Sequence, residues 1–108
     1  MSGNPYEAVV IPGTLVRDFL FTVVNAGNYV YDAPLMGRAV GLDVYLNNQG
    51  AAAITLAING QPAITIPAGA VYGISNTKWW MIAIVSAVNY DLQVAGVKIT
   101  TLKALGIL

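Results

Sequence analysis

The sequence predicts an all-β fold, a two-sheet antiparallel β-sandwich of seven or eight strands connected as a jelly roll or another Greek key. A small β-barrel is the competing arrangement. Three observations lead there. β-Branched and aromatic runs fill most of the 108 residues, while helical periodicity is almost absent. Clusters of Gly, Pro and Asn interrupt those runs at intervals of about 8–12 residues, the turn spacing of a sandwich. Within several runs, apolar residues alternate with small or polar ones, the period of a strand with one buried face.

Residues 1–12 read as an N-terminal arm, because Gly3 and Pro5 discourage regular structure; a short strand fits over 8–11, stopped by Pro12-Gly13. The β-sandwich domain then takes 13–108, with an apolar C-terminal tail from 100. The span 15–24 is the first long strand. Leu15, Arg17, Phe19, Phe21 and Val23 fall on one side of it, and Val16, Asp18, Leu20, Thr22 and Val24 on the other. Both sides carry large apolar groups, so neither is a clean solvent face. A turn over 25–28 leads to a short extended piece at 29–31, ended by Asp32-Ala33-Pro34.

The span 36–46 alternates most clearly. Met36, Arg38, Val40, Leu42, Val44 and Leu46 share one face, and Gly37, Ala39, Gly41, Asp43 and Tyr45 the other. Glycines at 37 and 41 admit a closely packed neighbour or mark bulges. After the turn Asn47-Asn48-Gln49-Gly50, the strand at 52–58 has a small, uncharged outer face. Asn59-Gly60 is the strongest hairpin signal in the chain, joining that strand to one at 64–66. A short strand follows at 70–75, and 79–88 is apolar on both faces. Tyr90, Leu92 and Val94 face inward, Gly96 breaks the run, and 97–103 reads as a last strand before a short apolar end.

Composition limits the chemistry. There is no Cys and no His, and five basic residues balance five acidic ones. Disulfides, thiol nucleophiles, imidazole catalysis and Cys/His metal sites are excluded. Zero net charge argues against a nucleic-acid partner, which requires clustered Lys and Arg. Ser2, Ser75 and Ser86 have no His to act as base, no carboxylate pair has glycosidase spacing, and no phosphate loop or metal loop occurs. No catalytic residue, cofactor or metal is expected, and the chain reads as a non-enzyme. No signal peptide is seen at the N-terminus, and no apolar run is long enough for a transmembrane helix, so no membrane partner is expected.

Charged residues make up only 9% of the chain, against about 25% in ordinary soluble domains, while 56% is hydrophobic. A folded monomer of this mass exposes about 5,700 Å², too much for ten charges to cover. Strands apolar on both sides must face another chain, unless a bulge swaps their faces partway along. The interface candidates are Phe19, Phe21, Tyr45, Trp79, Trp80, Met81, Ile82, Leu105, Ile107 and Leu108. Neighbours in a strand point opposite ways, so one of Trp79 and Trp80 belongs to the core and the other to a contact.

The expectation is a structural protein that assembles with itself, as a trimer or higher homo-oligomer, or onto a larger capsid protein. Virion decoration or minor capsid duty is its most natural setting, after synthesis in the host cytoplasm. The alternative is a carbohydrate-binding module or lectin, acting as an oligomer through its tyrosines and amide side chains.

Overall fold

A computed structural model describes residues 6–108, with Asn25 and Ala26 described by backbone alone. Among these residues eight strands form: β1 (Phe19–Ala26), β2 (Tyr29–Asp32), β3 (Ala39–Asn48), β4 (Ile54–Ile58), β5 (Ile64–Ile66), β6 (Val71–Ile74), β7 (Met81–Val85) and β8 (Asn89–Lys98). One turn of π-helix (Ala33–Gly37) separates β2 from β3, and a short helix α1 (Ile99–Ala104) follows β8. The strands make two four-stranded antiparallel sheets, ordered β1-β8-β3-β6 and β2-β7-β4-β5.

The first strand pairs with the eighth, the second with the seventh, the third with the sixth and the fourth with the fifth. The four pairs alternate between sheets along the chain. A long hairpin rolled up in this way is a jelly roll. Each sheet keeps two free edges, so the barrel alternative does not form. At the tip of the roll, Asn59 and Gly60 take φ of 56° and 72°, and the Gln61 N–H donates to the Ile58 carbonyl at 3.0 Å. The hairpin signal at Asn59-Gly60 therefore marks a real turn, whose two left-handed positions suit Asn and Gly.

The main core lies between the sheets and contains Val44, Leu46, Leu56, Ile82, Ile84, Tyr90, Leu92 and Trp79. Inward-facing Tyr90, Leu92 and Val94 are all buried. Buried Asn48 ties the strand ends together. Its Nδ2 donates to the carbonyls of Ala52, Ile66 and Pro67 at 2.8, 3.1 and 3.0 Å, and its Oδ1 accepts from the Gly50 N–H.

Three readings of the sequence are corrected here. The single apolar face assigned to 36–46 is split by a bulge in β3, where the register against β8 shifts between Gly41 and Asp43. Val44 and Leu46 enter the main core. Val40 and Leu42 instead turn to the outer side of the first sheet and join a second cluster with Val97 and Leu102. Gly41 faces inward, where any Cβ would lie 1.9 Å from the Trp79 ring. That ring occupies the space the bulge opens.

Second, the run 79–88 is not one strand. Trp79 bridges to Gly41 of β3 through two backbone bonds of 2.8 and 2.9 Å, and β7 begins only at Met81, in the other sheet. The chain crosses from sheet to sheet at Trp80. Trp79 is therefore buried from one side, and Ile82 and Ile84 from the other. This removes much of the excess apolar character that an uninterrupted strand would present.

Third, the last strand and tail are re-divided. Gly96 does not break β8. It lies inside the strand because a Cβ there would meet the Val40 carbonyl at 2.1 Å. Residues 99–104 form α1 instead of a strand, and among the described residues no strand forms before Phe19, the span 8–11 included. Tyr6, Ile11 and Leu15 from the N-terminal segment, and Ile99 and Ile107 from the C-terminal one, pack on the second cluster. The described part of the arm and the tail thus form a partial third layer over one end of the first sheet. Residues 1–5 of the arm lie outside the described residues.

Candidate interaction surfaces

Polar side chains hold the third layer in place. Arg17 grips Asp43 through two bonds, Nε to Oδ2 at 2.7 Å and Nη2 to Oδ1 at 3.0 Å. The same guanidinium donates to the carbonyls of Gly13 and Leu15 and to Asn76 Oδ1, while the Asn76 N–H donates to Asp43 Oδ1. The hydrogen bond from Arg17 holds the Asp43 carboxyl below the usual carboxylate range, against its partial desolvation, and the bond to Asp43 raises Arg17. Lys78 Nζ donates to the carbonyls of Glu7 and Val9, both at 2.6 Å. Asp18 accepts from the Lys98 N–H at 2.8 Å and Thr101 Oγ1 at 2.5 Å, closing the start of α1. Burial alone raises Asp18, but the two bonds and the Lys98 charge outweigh it and hold it low. Asp18 and Asp43 are therefore structural clasps. The signal is invisible in sequence because each partner is distant in the chain.

Beyond the third layer, the outer face of the first sheet is open. Leu20, Ala95 and Asp43 stand in register across β1, β8 and β3, and Thr22, Gln93, Tyr45 and Gly73 form the next row across all four strands. Together with Ser75 these residues line a shallow groove of about 570 Å³. Gly73 deepens it. A Cβ there would meet only Tyr45 Cδ1 at 3.8 Å and the Val44 carbonyl at 3.7 Å, ordinary contacts, so the fold itself does not require glycine.

The outer face of the second sheet is apolar and small-chained. Val30, Ala83 and Ala57 form one row, and Val85, Thr55 and Thr65 the next. These rows carry no charge. Val30 and Val85 stand 57% and 58% exposed. At the seam between β1 and β2, Phe21 and Tyr31 stack with ring centroids 4.7 Å apart, flanked by Phe19 and Tyr29. Tyr31 is buried, whereas Phe19, Phe21 and Tyr29 remain half-buried along the opening.

The ten interface candidates divide accordingly. Trp79 and Ile82 are fully buried and leave the list, since both face the main core. Trp80 and Met81 are half-buried where the chain changes sheets. Phe19 and Phe21 sit at the seam and Tyr45 on the groove, 42% exposed. Leu105 projects outward and Leu108 is partly exposed, while Ile107 packs under α1 on the second cluster. Weight on aromatic residues passes over Val16, Leu20 and Val24, strongly exposed apolar groups on the even positions of the first long run. The even side was legible as apolar; what hid it was the choice between two equally greasy faces.

Among the described residues, no group of three His, Cys, Asp or Glu side chains could hold a metal ion, and no helix is long and apolar enough to cross a membrane. No known family model matches the chain, and no curated protein is significantly similar to it.

Proposed function

We propose that this chain is a structural building block, a jelly-roll module that assembles with itself and docks onto a larger shell, as a decoration or minor component of a virion capsid. One contrast carries the reading. Every buried side-chain N or O among the described residues has a hydrogen-bond partner, yet Val16, Leu20, Val24, Val30, Val71 and Val85 are each more than half exposed. An interior this well satisfied is not a loosely packed chain spilling apolar groups. The exposed area, 5771 Å², is also close to the roughly 5,700 Å² of an ordinary monomer of this mass. Of those exposed residues, all but Val16 lie on the outer faces of the two sheets, and apolar groups gathered there mark contact surfaces.

The jelly-roll order supports the setting by architecture, since capsid and lectin domains both use it. The proposed partners are further copies of the chain, in a trimer or larger homo-oligomer, and a major capsid protein. Assembly by docking requires no catalytic group or cofactor. Sedimentation velocity with light scattering tests the reading: a homo-oligomer is expected at micromolar concentration, and a clean monomer overturns it.

The groove on the first sheet favours a second reading, a neutral sugar bound by the Tyr45 ring with Gln93, Thr22 and Ser75 as hydrogen-bonding groups. Glycan-array binding that disappears in Tyr45→Ala would favour it.

A further inference from the structure

We infer that the free edge of β1 is a self-pairing site, where β1 of a second copy adds antiparallel across a two-fold axis to make one continuous eight-stranded sheet. The inference rests on the self-assembly reading and specifies one contact within it, a two-fold one, so the assembly it builds has an even number of copies and is not a simple trimer. Edges of β-sheets are normally kept short or guarded by Pro, Gly, charge or bulges, because unpaired backbone groups recruit other strands. Three of the four edges here obey that rule. β2 has four residues and runs into Asp32 and Pro34; β5 has three and lies between Pro62 and Pro67; β6 has four and contains Gly73. The fourth does not. β1 is eight residues long, about 27 Å at strand spacing, and Phe19–Ala26 includes no charge, Pro or Gly. It pairs only with β8, and among the described residues no other backbone group bonds to its far edge.

The strand also matches itself. A two-fold contact places the same patch on both sides, so the pattern must read alike in both directions. Centred on Thr22, antiparallel pairing sets Leu20 opposite Val24, Phe21 opposite Val23, and Thr22 opposite its own copy. Residues directly opposite share a face. Leu20 and Val24, 74% and 77% exposed, therefore cover each other on the outer side. Phe21 and Val23 meet on the inner side, where the half-buried aromatic seam against Tyr29 and Tyr31 continues the contact. Self-pairing gives this edge a main-chain ladder about 27 Å long, with the Leu20–Val24 and Phe21–Val23 pairs adding side-chain contact on its two faces.

Thr22 is exposed, so Thr22→Lys leaves the isolated fold intact but sets two ammonium groups face to face at the axis. The expected result is an assembly smaller than wild type for Thr22→Lys and for Thr22→Glu. An equimolar mixture of the two should recover the wild-type mass through Lys–Glu pairing. Wild-type mass in Thr22→Lys alone overturns the β1 contact while leaving self-assembly standing. A mixture that stays dissociated overturns the register. A monomeric wild type removes the self-assembly reading itself. Hydrogen exchange of the unsubstituted protein is the independent measure. The amides of 19–26 that point away from β8 should slow as concentration rises, and fast, concentration-independent exchange of those amides overturns the proposal.

Discussion

Gly41, Gly73 and Gly96 all lie within strands and look alike in sequence, yet they do different things. Gly41 and Gly96 occupy points where two backbones or a tryptophan ring approach too closely for any side chain, whereas the space beside Gly73 is open. Gly96→Ala is expected to destabilise the fold by about 1–3 kcal/mol or more, through overpacking against the Val40 carbonyl. Gly73→Val is expected to be neutral or to stabilise by up to about 1 kcal/mol, because a β-branched residue suits an exposed strand better. Chemical denaturation of the two variants side by side separates the roles. A glycine in a strand run announces that a Cβ is absent, and only the neighbour across the sheet says why.

At the scale of elements, alternation located the strands well but not their ends. β1 starts at Phe19 because Arg17 and Asp18 are drawn away, one to Asp43 and Asn76, the other to the start of α1. α1 occupies a span whose residues predict strand. Its sequence Ile-Thr-Thr is rich in β-branched residues, and what makes it helical is the burial of Leu102 against Val40, Leu42 and Val97, with Asp18 bonding Lys98 and Thr101. These clasps titrate. Asp18 and Asp43 are both held below their ordinary values in the fold, so the stability they contribute is complete above the unfolded carboxylate value of about 3.9. It is lost as pH falls from there through the folded values. Thermal unfolding followed from pH 7 downward should show a level midpoint to about pH 5 and a decline below about pH 4. In Asp43→Asn the part of that decline due to the Arg17 contact should be absent.

Considered whole, the molecule meets the apolar excess of its sequence in two ways. Part is absorbed internally, by the bulge in β3, the crossing at Trp80 and the third layer formed by the segments before β1 and after β8. The rest stays on the outer faces of both sheets. Leu102→Ala removes the fully buried centre of the third layer and should cost about 2–5 kcal/mol in equilibrium unfolding. It should also increase binding of a hydrophobic dye as Val40, Leu42 and Val97 become accessible. A cost well under 1 kcal/mol would mean that the layer contributes little.

The all-β class with a sandwich as its first arrangement, the hairpin at Asn59-Gly60, the inward face of Tyr90, Leu92 and Val94, and the shortage of charge for the surface to be covered are all legible in the order of the residues. Each follows from local chemistry: period-two alternation, positive φ at Asn-Gly, and composition. Which apolar face is sheltered, that Trp79 belongs to one sheet and Ile82 to the other, and that α1 is a helix emerge only when the chain is folded. Those outcomes depend on groups far apart in the chain meeting across a bulge or a sheet crossing, and a one-residue shift in a strand turns every following side chain to the opposite face.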